Sequence, residues 1–296
     1  MAGLPKNDSY EELGESYANG SLSASLHYLE ALRRMQTEQA ATRARIFLMG
    51  PKRSGKSSIE KVVFHKLSPH ETLFLESTND VRVKEVVNNA PLLSLQIFDF
   101  PGNFDFSEEE EDAADVDPDK VFKGCGALVF VLDAQDEPHN DAIDYVVKIT
   151  EMAVKSNPKI EFQVLIHKSD GDSSASGADR QRTISEALNE QLRRLKMDLQ
   201  MSFYQTSIYD HSIFEAFSKI VQKLIPQLPF LENLLDGLSA RCDISKAFLF
   251  DVLSKIYIAT DSNPFDMKTY ELCSDMVDVV VDISCIYGFD CFVSIH

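Results

Sequence analysis

The chain has 296 residues, of which 44% are hydrophobic and 26% charged, so it is long and apolar enough for one large domain or two ordinary ones. Acidic residues outnumber basic ones by 47 to 29, and the net charge of −18 argues against nucleic acid and anionic membrane as default partners. No apolar run reaches the roughly 20 residues of a membrane-spanning helix, so direct membrane insertion is not expected. The five scattered cysteines, without a CxxC pair, indicate neither a disulfide framework nor a zinc site.

Residues 1–42 are predicted to be a flexible N-terminal extension, although four leucines between positions 22 and 32 recur at helical spacing. From residue 43 onward, short apolar runs alternate with longer segments of helical period, which predicts an α/β domain with a mostly parallel sheet. The predicted strands are Ile46 to Met49, Leu92 to Phe100, Ala127 to Asp133, Phe162 to His167 and Met201 to Gln205. The predicted helices are Ser57 to Lys66, Asp141 to Ser156, Asp179 to Met197 and Ser212 to Leu224.

Pro226 and Pro229 are expected to end the first domain, residues 43–226, because proline stops helices and favours extended connections. In the second unit, residues 231–296, a short helix, a β-hairpin and a final helical period are predicted. Their ranges are Leu231 to Leu238, Lys246 to Leu253 with Lys255 to Thr260, and Leu272 to Tyr287. A sheet of two strands is marginal in water, so this unit is predicted to be poorly stable alone and to depend on a partner.

An acidic run lies between residues 105 and 119, where nine carboxylates occur without a basic residue. Like charges repel, so a solvated, mobile loop is predicted. A cation site is the alternative, but the regular ligand spacing of an EF-hand loop is missing.

The strongest motif is a match to GxxxxGK[ST], placed between a predicted strand and a predicted helix. Glycines at its first and sixth positions let consecutive backbone N–H groups point at phosphate oxygens. Lys56 would bridge the β- and γ-phosphates, and the Ser57 hydroxyl would bind Mg²⁺. The predicted nucleotide contacts of this loop are Gly50, Arg53, Ser54, Gly55, Lys56, Ser57 and Ser58.

Two further predicted elements concern the metal and the γ-phosphate. Asp99 ends an apolar strand and supplies the carboxylate that a magnesium site needs, while Gly102 completes a DxxG motif whose N–H can contact the γ-phosphate. Thr78 is predicted to close over Mg²⁺ on a loop, with Thr72 and Ser77 as competing candidates.

The base is predicted from a second motif, HKxD, which ends the Phe162 to His167 strand. The Asp170 carboxylate can accept from both N1–H and the exocyclic amine of guanine, whereas adenine offers neither donor there. The stem of Lys168 would lie along the base, and His167 stands where Asn is commoner. Ser207 and Ile208 follow the next strand and could offer backbone N–H groups to guanine O6.

Taken together, these residues resemble the Rag GTPases of the C/D type, within the Ras-related small GTPases. The resemblance rests on Lys52 to Ser58, Val62 to Lys66, Glu71 to Asn79, Phe98 to Gly102, the HKxD at 167–170, Thr206 to Phe217, Lys246 to Ile258 and Tyr287 with Gly288. It implies a P-loop Ras-like GTPase domain followed by a roadblock/longin-like α+β dimerisation domain, truncated here because the chain ends soon after Gly288.

The resemblance also implies GTP or GDP with Mg²⁺ as cofactors and a heterodimer with an A/B-type Rag GTPase. A lysosomal scaffold complex would recruit this heterodimer, which would relay amino-acid sufficiency to the TOR kinase complex. The expected location is therefore the cytoplasm and, through partners, the lysosomal surface, with the nucleus as an alternative.

Lys56, Asn103 and Thr78 are the predicted catalytic residues. Asn103 follows DxxG where a catalytic Gln is expected, and its shorter amide predicts slow hydrolysis because it aligns the attacking water less well. Arg53 could act as an internal arginine finger, although a contact with partner or solvent is the simpler interpretation. The alternative functions are a nucleotide-stabilised scaffold without significant hydrolysis and, disfavoured by Asp170, an ATP-dependent enzyme.

Overall fold

A computed structural model of the chain describes residues 44–76, 95–104, 118–171, 174–252 and 254–287, all within one compact unit. Its main sheet has five strands in the order β2-β1-β3-β4-β5, and every neighbouring pair is parallel. The strands are β1 Ala44–Met49, β2 Leu95–Asp99, β3 Ala127–Asp133, β4 Glu161–His167 and β5 Met201–Thr206. The predicted α/β class with a mostly parallel sheet is confirmed.

The central strands are buried on both faces, as their unbroken apolar sequences require in a parallel sheet. Phe47 and Met49 belong to a core that also contains side chains from the helices after β3 and β4. Ile46 and Leu48 are equally buried, and because side chains alternate along a strand they point to the opposite face.

Five α-helices accompany this sheet in the described residues, and two of them differ from prediction. They are α1 Lys56–His65, α2 Pro118–Lys123, α3 Asn140–Ser156, α4 Ser174–Arg194 and α5 Ser212–Lys223. Helix α4 begins five residues before the predicted Asp179. Helix α2 was not predicted and starts within the acidic run, at a proline that suits a first helical position because it needs no N–H donor there. A 3₁₀ helix, Pro69–Phe74, was also not predicted.

The C-terminal part contains helix α6, Leu228–Cys242, an antiparallel pair of strands, β6 Phe248–Phe250 and β7 Tyr257–Thr260, and helix α7, Met267–Ile286. The hairpin is where the sequence predicts it, although its strands are shorter than predicted, and helix α7 begins five residues before the predicted Leu272. Helix α6 is longer than predicted and includes Pro229 in its first turn, so this proline does not form an extended connection.

One face of α5 holds the C-terminal part through side chains spaced along the helix. The Ser218 hydroxyl accepts from the Tyr257 N–H at 3.0 Å, and the Gln222 amide donates to the Tyr257 carbonyl at 3.4 Å. Near the start of α5, the Lys255 ammonium lies 5.9 Å from the centre of the Phe214 ring. Side chains of α5 thus bind the backbone of a short strand that a two-stranded sheet alone would leave exposed.

Several predictions fall outside the described residues: the N-terminal extension 1–42, strand positions 92–94, Ser77 and Thr78, most of the acidic run, and the chain after residue 287. The domain boundary at 226–231 and the truncated roadblock/longin-like assignment of 231–296 stay predictions. Among the described helices, none is both long and apolar enough to cross a membrane.

Candidate nucleotide-binding site

The polar residues singled out in the sequence meet at the carboxyl edge of the main sheet. Asp99, His167 and Thr206 are each the last residue of their strand. In the register of the sheet, Asp99 pairs with Leu48 and His167 pairs with both Asp133 and Thr206. Parallel strands bring their carboxyl ends to one edge, so residues from separate parts of the sequence lie along that edge.

The phosphate loop runs from the end of β1 to the start of α1 and owes its shape to glycine. Gly55 precedes the helix with φ of 103°, a left-handed conformation that side chains rarely adopt. The turn leads into α1, whose first backbone N–H groups have no partner within the helix. This is the geometry that binds phosphate oxygens.

Lys56 is buried beneath this loop, with 6% of its surface exposed. Its ammonium donates to the carbonyls of Gly50 at 2.9 Å and Pro51 at 2.7 Å, and Ser54 Oγ lies 3.5 Å away. Burial lowers the pKa of the Lys56 ammonium to about 8, although the Asp99 carboxylate acts in the opposite direction. The loop carbonyls give the Lys56 ammonium only partial negative charge, whereas a phosphate group at this position would give it a full one.

Ser57 and Asp99 are the predicted magnesium ligands, and the structure brings them together. The Ser57 hydroxyl donates to Asp99 Oδ2 at 2.5 Å, and the carboxylate is buried. A hydroxyl and a carboxylate oxygen side by side are hard ligands of the kind that Mg²⁺ takes in combination with phosphate oxygens and water. The two residues therefore fit the metal, and no cluster of three or more His, Cys, Asp or Glu that could bind a metal alone occurs in the described part.

The DxxG segment is docked on the phosphate loop. A Cβ atom at Gly102 would lie 2.4 Å from the Lys52 α-carbon, so only glycine permits this approach. The next residue, Asn103, has φ of 56° and donates its N–H to the Gly50 carbonyl at 3.2 Å. Asn103 lines a second cavity of about 650 Å³, bounded by Lys52, Tyr145 and the start of α3, and not the cavity that Lys56 lines.

His167 joins the two halves of the site. Its Nδ1 lies 3.0 Å from Thr206 Oγ1, and its ring packs against Gly55. Burial, together with the neighbouring Lys168 charge, lowers the pKa of the imidazole to about 4, so the ring is neutral at pH 7. A neutral ring in this position braces the phosphate loop against the end of β5, a role that the sequence left open.

Lys168 reaches across the site to the phosphate loop. Its ammonium donates to the Arg53 carbonyl at 2.7 Å and to Asp133 Oδ2 at 2.5 Å. Gln135, two residues beyond Asp133, donates weakly to the Lys168 carbonyl at 3.4 Å. Neither Asp133 nor Gln135 was predicted as a site residue. The sequence feature that could have indicated Asp133 is its position as a polar residue at the carboxyl end of an apolar strand.

The base-recognition carboxylate is already held by the loop after β5. Ser207 Oγ donates to Asp170 Oδ1 at 2.9 Å and accepts from the Tyr209 N–H at 3.1 Å. The Ser207 N–H is itself bonded to Ser212 Oγ at 2.9 Å, so it is engaged in the turn. Asp170 remains exposed, and Ile208 lies beside it on the cavity wall.

A single cavity of about 580 Å³ unites the phosphate loop and the base motif, and this size suits a small ligand. Ten predicted site residues line it: Arg53, Gly55, Lys56, Ser57, Ser58, Gly102, His167, Lys168, Asp170 and Ile208. Four further predicted residues do not line the cavity but form hydrogen bonds with residues that do: Gly50, Ser54, Asp99 and Ser207. Lining residues that were not predicted are Lys52, Leu73, Leu75, Glu76, Phe100, Gln135 and Tyr209.

Thr72, one of the competing magnesium candidates, also lines the cavity. Its hydroxyl donates to the Pro69 carbonyl at 2.7 Å within the 3₁₀ helix. The outcome for Thr78, the preferred candidate, lies outside the described residues.

A parallel sheet with a phosphate loop after β1 and a guanine-type motif after β4 defines a P-loop fold of the GTPase class. The Gtr1/RagA G protein conserved region matches residues 45–277. The chain therefore belongs to the Gtr1/RagA G protein family, and its resemblance to Rag GTPases of the C/D type is confirmed.

Three curated relatives show the extent of the similarity. Human Ras-related GTP-binding protein C is 54% identical over 84% of this chain and 61% of its own length. Mouse Ras-related GTP-binding protein D is 56% identical over 82% of this chain and 53% of its own length. GTP-binding protein GTR2 of Saccharomyces cerevisiae is 48% identical over 86% of this chain and 72% of its own length. The chain thus spans somewhat less than two thirds of the relatives of the C and D types.

Proposed function

We propose that the chain is a guanine-nucleotide switch that binds GTP and GDP with Mg²⁺ and hydrolyses GTP slowly. The observation that carries this proposal is the single cavity that both Lys56 and Asp170 line. The Lys56 ammonium can bind the phosphates of a nucleotide, and the Asp170 carboxylate can accept from the guanine N1–H and amine of the same nucleotide.

Each part of the site has a distinct task. Lys56 exchanges its loop carbonyls for β- and γ-phosphate oxygens, and the start of α1 adds N–H donors. Ser57 and Asp99 would hold Mg²⁺, which when bound neutralises charge on the transferred phosphate. Gly102 can present its N–H to the γ-phosphate, so the DxxG segment would respond to the presence of that group.

Slow hydrolysis is supported by where Asn103 lies. Hydrolysis requires a polar side chain that orients water against the γ-phosphate, and Thr78 is proposed as a further residue that would hold Mg²⁺. Asn103 lines the second cavity and not the one that Lys56 lines, so its amide must turn towards the nucleotide cavity to reach that water. This cost adds to the shorter reach of Asn compared with Gln.

Binding of GDP, GTP and ATP by the purified chain in magnesium buffer tests the proposal. We expect guanine nucleotides to bind and ATP to bind at least about 100-fold more weakly, because adenine offers the Asp170 carboxylate no donor in place of the guanine N1–H and amine. Asp170→Asn should weaken GDP binding and favour xanthosine diphosphate, whose C2 oxygen can accept from the new amide. Absence of GDP and GTP affinity, with or without a partner chain, would overturn the proposal.

The proposal includes assembly with an A/B-type Rag GTPase as a heterodimer. Helix α7 has an apolar stripe whose members are between 47% and 76% exposed: Leu272, Met276, Val279, Val280, Ile283 and Ile286. The same helix has four carboxylates and one lysine, which disfavours pairing with a second copy. A different chain with apolar and basic groups would cover the stripe without that repulsion.

Within this proposal, the heterodimer is recruited by a lysosomal scaffold complex and relays amino-acid sufficiency to the TOR kinase complex. The family relationship supports this role, and the chain itself would stay cytoplasmic until its partners recruit it. Co-expression with an A/B-type partner, followed by copurification and analysis of bound nucleotide, tests the first step. In cells, fluorescence of the tagged chain should move to lysosomes only when that partner is present.

A second candidate is a scaffold in which bound nucleotide is structural, and the position of Asn103 favours it. The two functions separate in a single-turnover assay of the heterodimer with an activating protein. Conversion of bound GTP to GDP supports the switch, whereas intact GTP after addition of the activator supports the scaffold.

A further inference from the structure

Asp133 belongs to none of the nucleotide motifs, yet it contacts one of their central residues. It ends β3, and its Oδ2 atom lies 2.5 Å from the Lys168 ammonium. Its other oxygen, Oδ1, accepts from the Gln135 N–H at 2.9 Å, which fixes the orientation of the carboxylate. The Asp133 side chain is 18% exposed and the Lys168 side chain 37% exposed, so solvent and salt screen this ion pair incompletely.

The Lys168 ammonium is shared between two elements that a nucleotide must contact together. Besides Asp133, it donates to the Arg53 carbonyl of the phosphate loop at 2.7 Å. Lys168 itself has φ of 63°, a conformation that requires support from its surroundings. Among the described residues, Asp133 is the acidic side chain that forms an ion pair with Lys168.

A lysine stem covers a base for more of the time when its ammonium is anchored, because the free side chain has four rotatable bonds. A carbonyl alone offers one uncharged acceptor. The carboxylate adds a charge-assisted hydrogen bond, which is shorter and stronger. Asp133 therefore restricts Lys168 to the conformation that joins the base motif to the phosphate loop.

We propose that Asp133 is a positioning residue for nucleotide binding: it anchors Lys168 and thereby slows release of the bound guanine nucleotide. This inference rests on the proposed function, since it concerns the same cavity. Asp133 makes no contact with the nucleotide in this scheme and acts only through Lys168.

The test compares rates of release of fluorescent GDP from the full chain in magnesium buffer. Asp133→Asn is the informative change, because the amide oxygen can keep the bond from the Gln135 N–H while the NH₂ group faces the ammonium. Release should become about tenfold faster, the effect expected when one charge-assisted hydrogen bond is lost. Asp136→Asn, an exposed acid in the same loop, is the matched control and should change release less than about twofold.

A double-mutant cycle separates positioning from a general structural effect. In a Lys168→Met background, Asp133→Asn should have almost no further effect on release, because the group through which it acts is gone. A merely structural role would give the same acceleration in both backgrounds, together with the same loss in melting temperature.

The inference would be overturned by a GDP release rate of Asp133→Asn within about twofold of wild type, or by an undiminished effect in the Lys168→Met background. Wild-type binding of GDP is measured first, so failure of the proposed function would be seen separately as no binding by the unaltered chain. If Asp133→Asn does not fold, Asp133→Glu, which retains the charge, is measured instead. Its release should then lie closer to wild type than that of Asp133→Ala, and equal release from these two variants would also overturn the inference.

Discussion

The imidazole of His167 lies against the α-carbon of Gly55, so that a Cβ atom at position 55 would be 2.5 Å from His167 Cδ2. Gly55 also has φ of 103°, so any side chain there is strained as well as crowded. The base motif and the phosphate loop are therefore in van der Waals contact before any ligand enters. The absence of a side chain at one position makes this contact possible.

Gly55→Ala should abolish measurable GDP binding and lower the melting temperature, since either the phosphate loop or the buried imidazole must move. Gly237→Ala is the matched control. This glycine is inside α6, a Cβ atom there meets no atom within 4 Å, and alanine should stabilise the helix by about 0.5–1 kcal/mol. Normal GDP affinity in Gly55→Ala would show that the loop tolerates the displacement.

The pKa of His167 predicts a pH dependence of folding stability. In the unfolded chain His titrates near 6.5, while burial lowers its folded pKa to about 4, so the unfolded state binds more protons between these values. Stability should therefore fall as pH decreases from about 6.5 to about 4, by up to about 3 kcal/mol from this residue.

Chemical denaturation at several pH values checks this expectation by comparing wild type with His167→Asn. The difference in unfolding free energy should shrink or reverse towards pH 4, because the variant lacks the titrating group. Gly237→Ala, which changes no titrating group, should keep the wild-type slope. Parallel curves for wild type and His167→Asn would contradict the assignment.

Lys56 predicts a pH dependence of nucleotide binding. Its pKa is about 8 without nucleotide, and a bound phosphate should raise it because the charged form gains a partner. Binding is then strongest below about pH 8 and weakens above it, with uptake of protons. Calorimetry at about pH 8 in buffers of different ionisation enthalpy should detect a fraction of a proton taken up per GDP; equal heats in all buffers would argue against it.

Asn103→Gln should raise the single-turnover rate of GTP hydrolysis several-fold if the shorter amide limits alignment of water. The side chain lines the second cavity, so the longer amide gains reach across the docked 99–103 segment. GDP affinity serves as the control and should stay unchanged, because Asn103 does not line the nucleotide cavity. An unchanged hydrolysis rate would refute the link between Asn103 and slow turnover.

Ser218→Ala should loosen the C-terminal part. The buried Tyr257 N–H loses its acceptor, and an unsatisfied buried donor costs about 1–3 kcal/mol. Limited proteolysis should then cleave more readily after residue 228, whereas Ser185→Ala, which removes a solvent-exposed hydrogen bond within α4, should leave the pattern unchanged. An isolated 231–296 fragment is expected to be protease-sensitive, since it lacks α5; resistance of that fragment would contradict both expectations.

Sequence alone determined the sheet class, the phosphate loop and the base motif, because each depends on short-range information. Strand β3, Ala127–Asp133, is apolar up to its last residue, and such a sequence is typical of a strand buried in a parallel sheet. The glycines of the GxxxxGKS motif determine the turn of the phosphate loop. Helix boundaries are harder to predict from sequence. Proline ends a helix in most contexts, but Pro229 lies in the first turn of α6, where a missing N–H is tolerated.

Tertiary structure decided which side chains become partners. Lys168 meets Asp133, and His167 meets Gly55 and Thr206, only because parallel strands align their carboxyl ends. The docking of the 99–103 segment likewise places Asn103 in a different cavity from Lys56. Sequence order does not specify strand order, so contacts between the ends of different strands follow from the folded sheet.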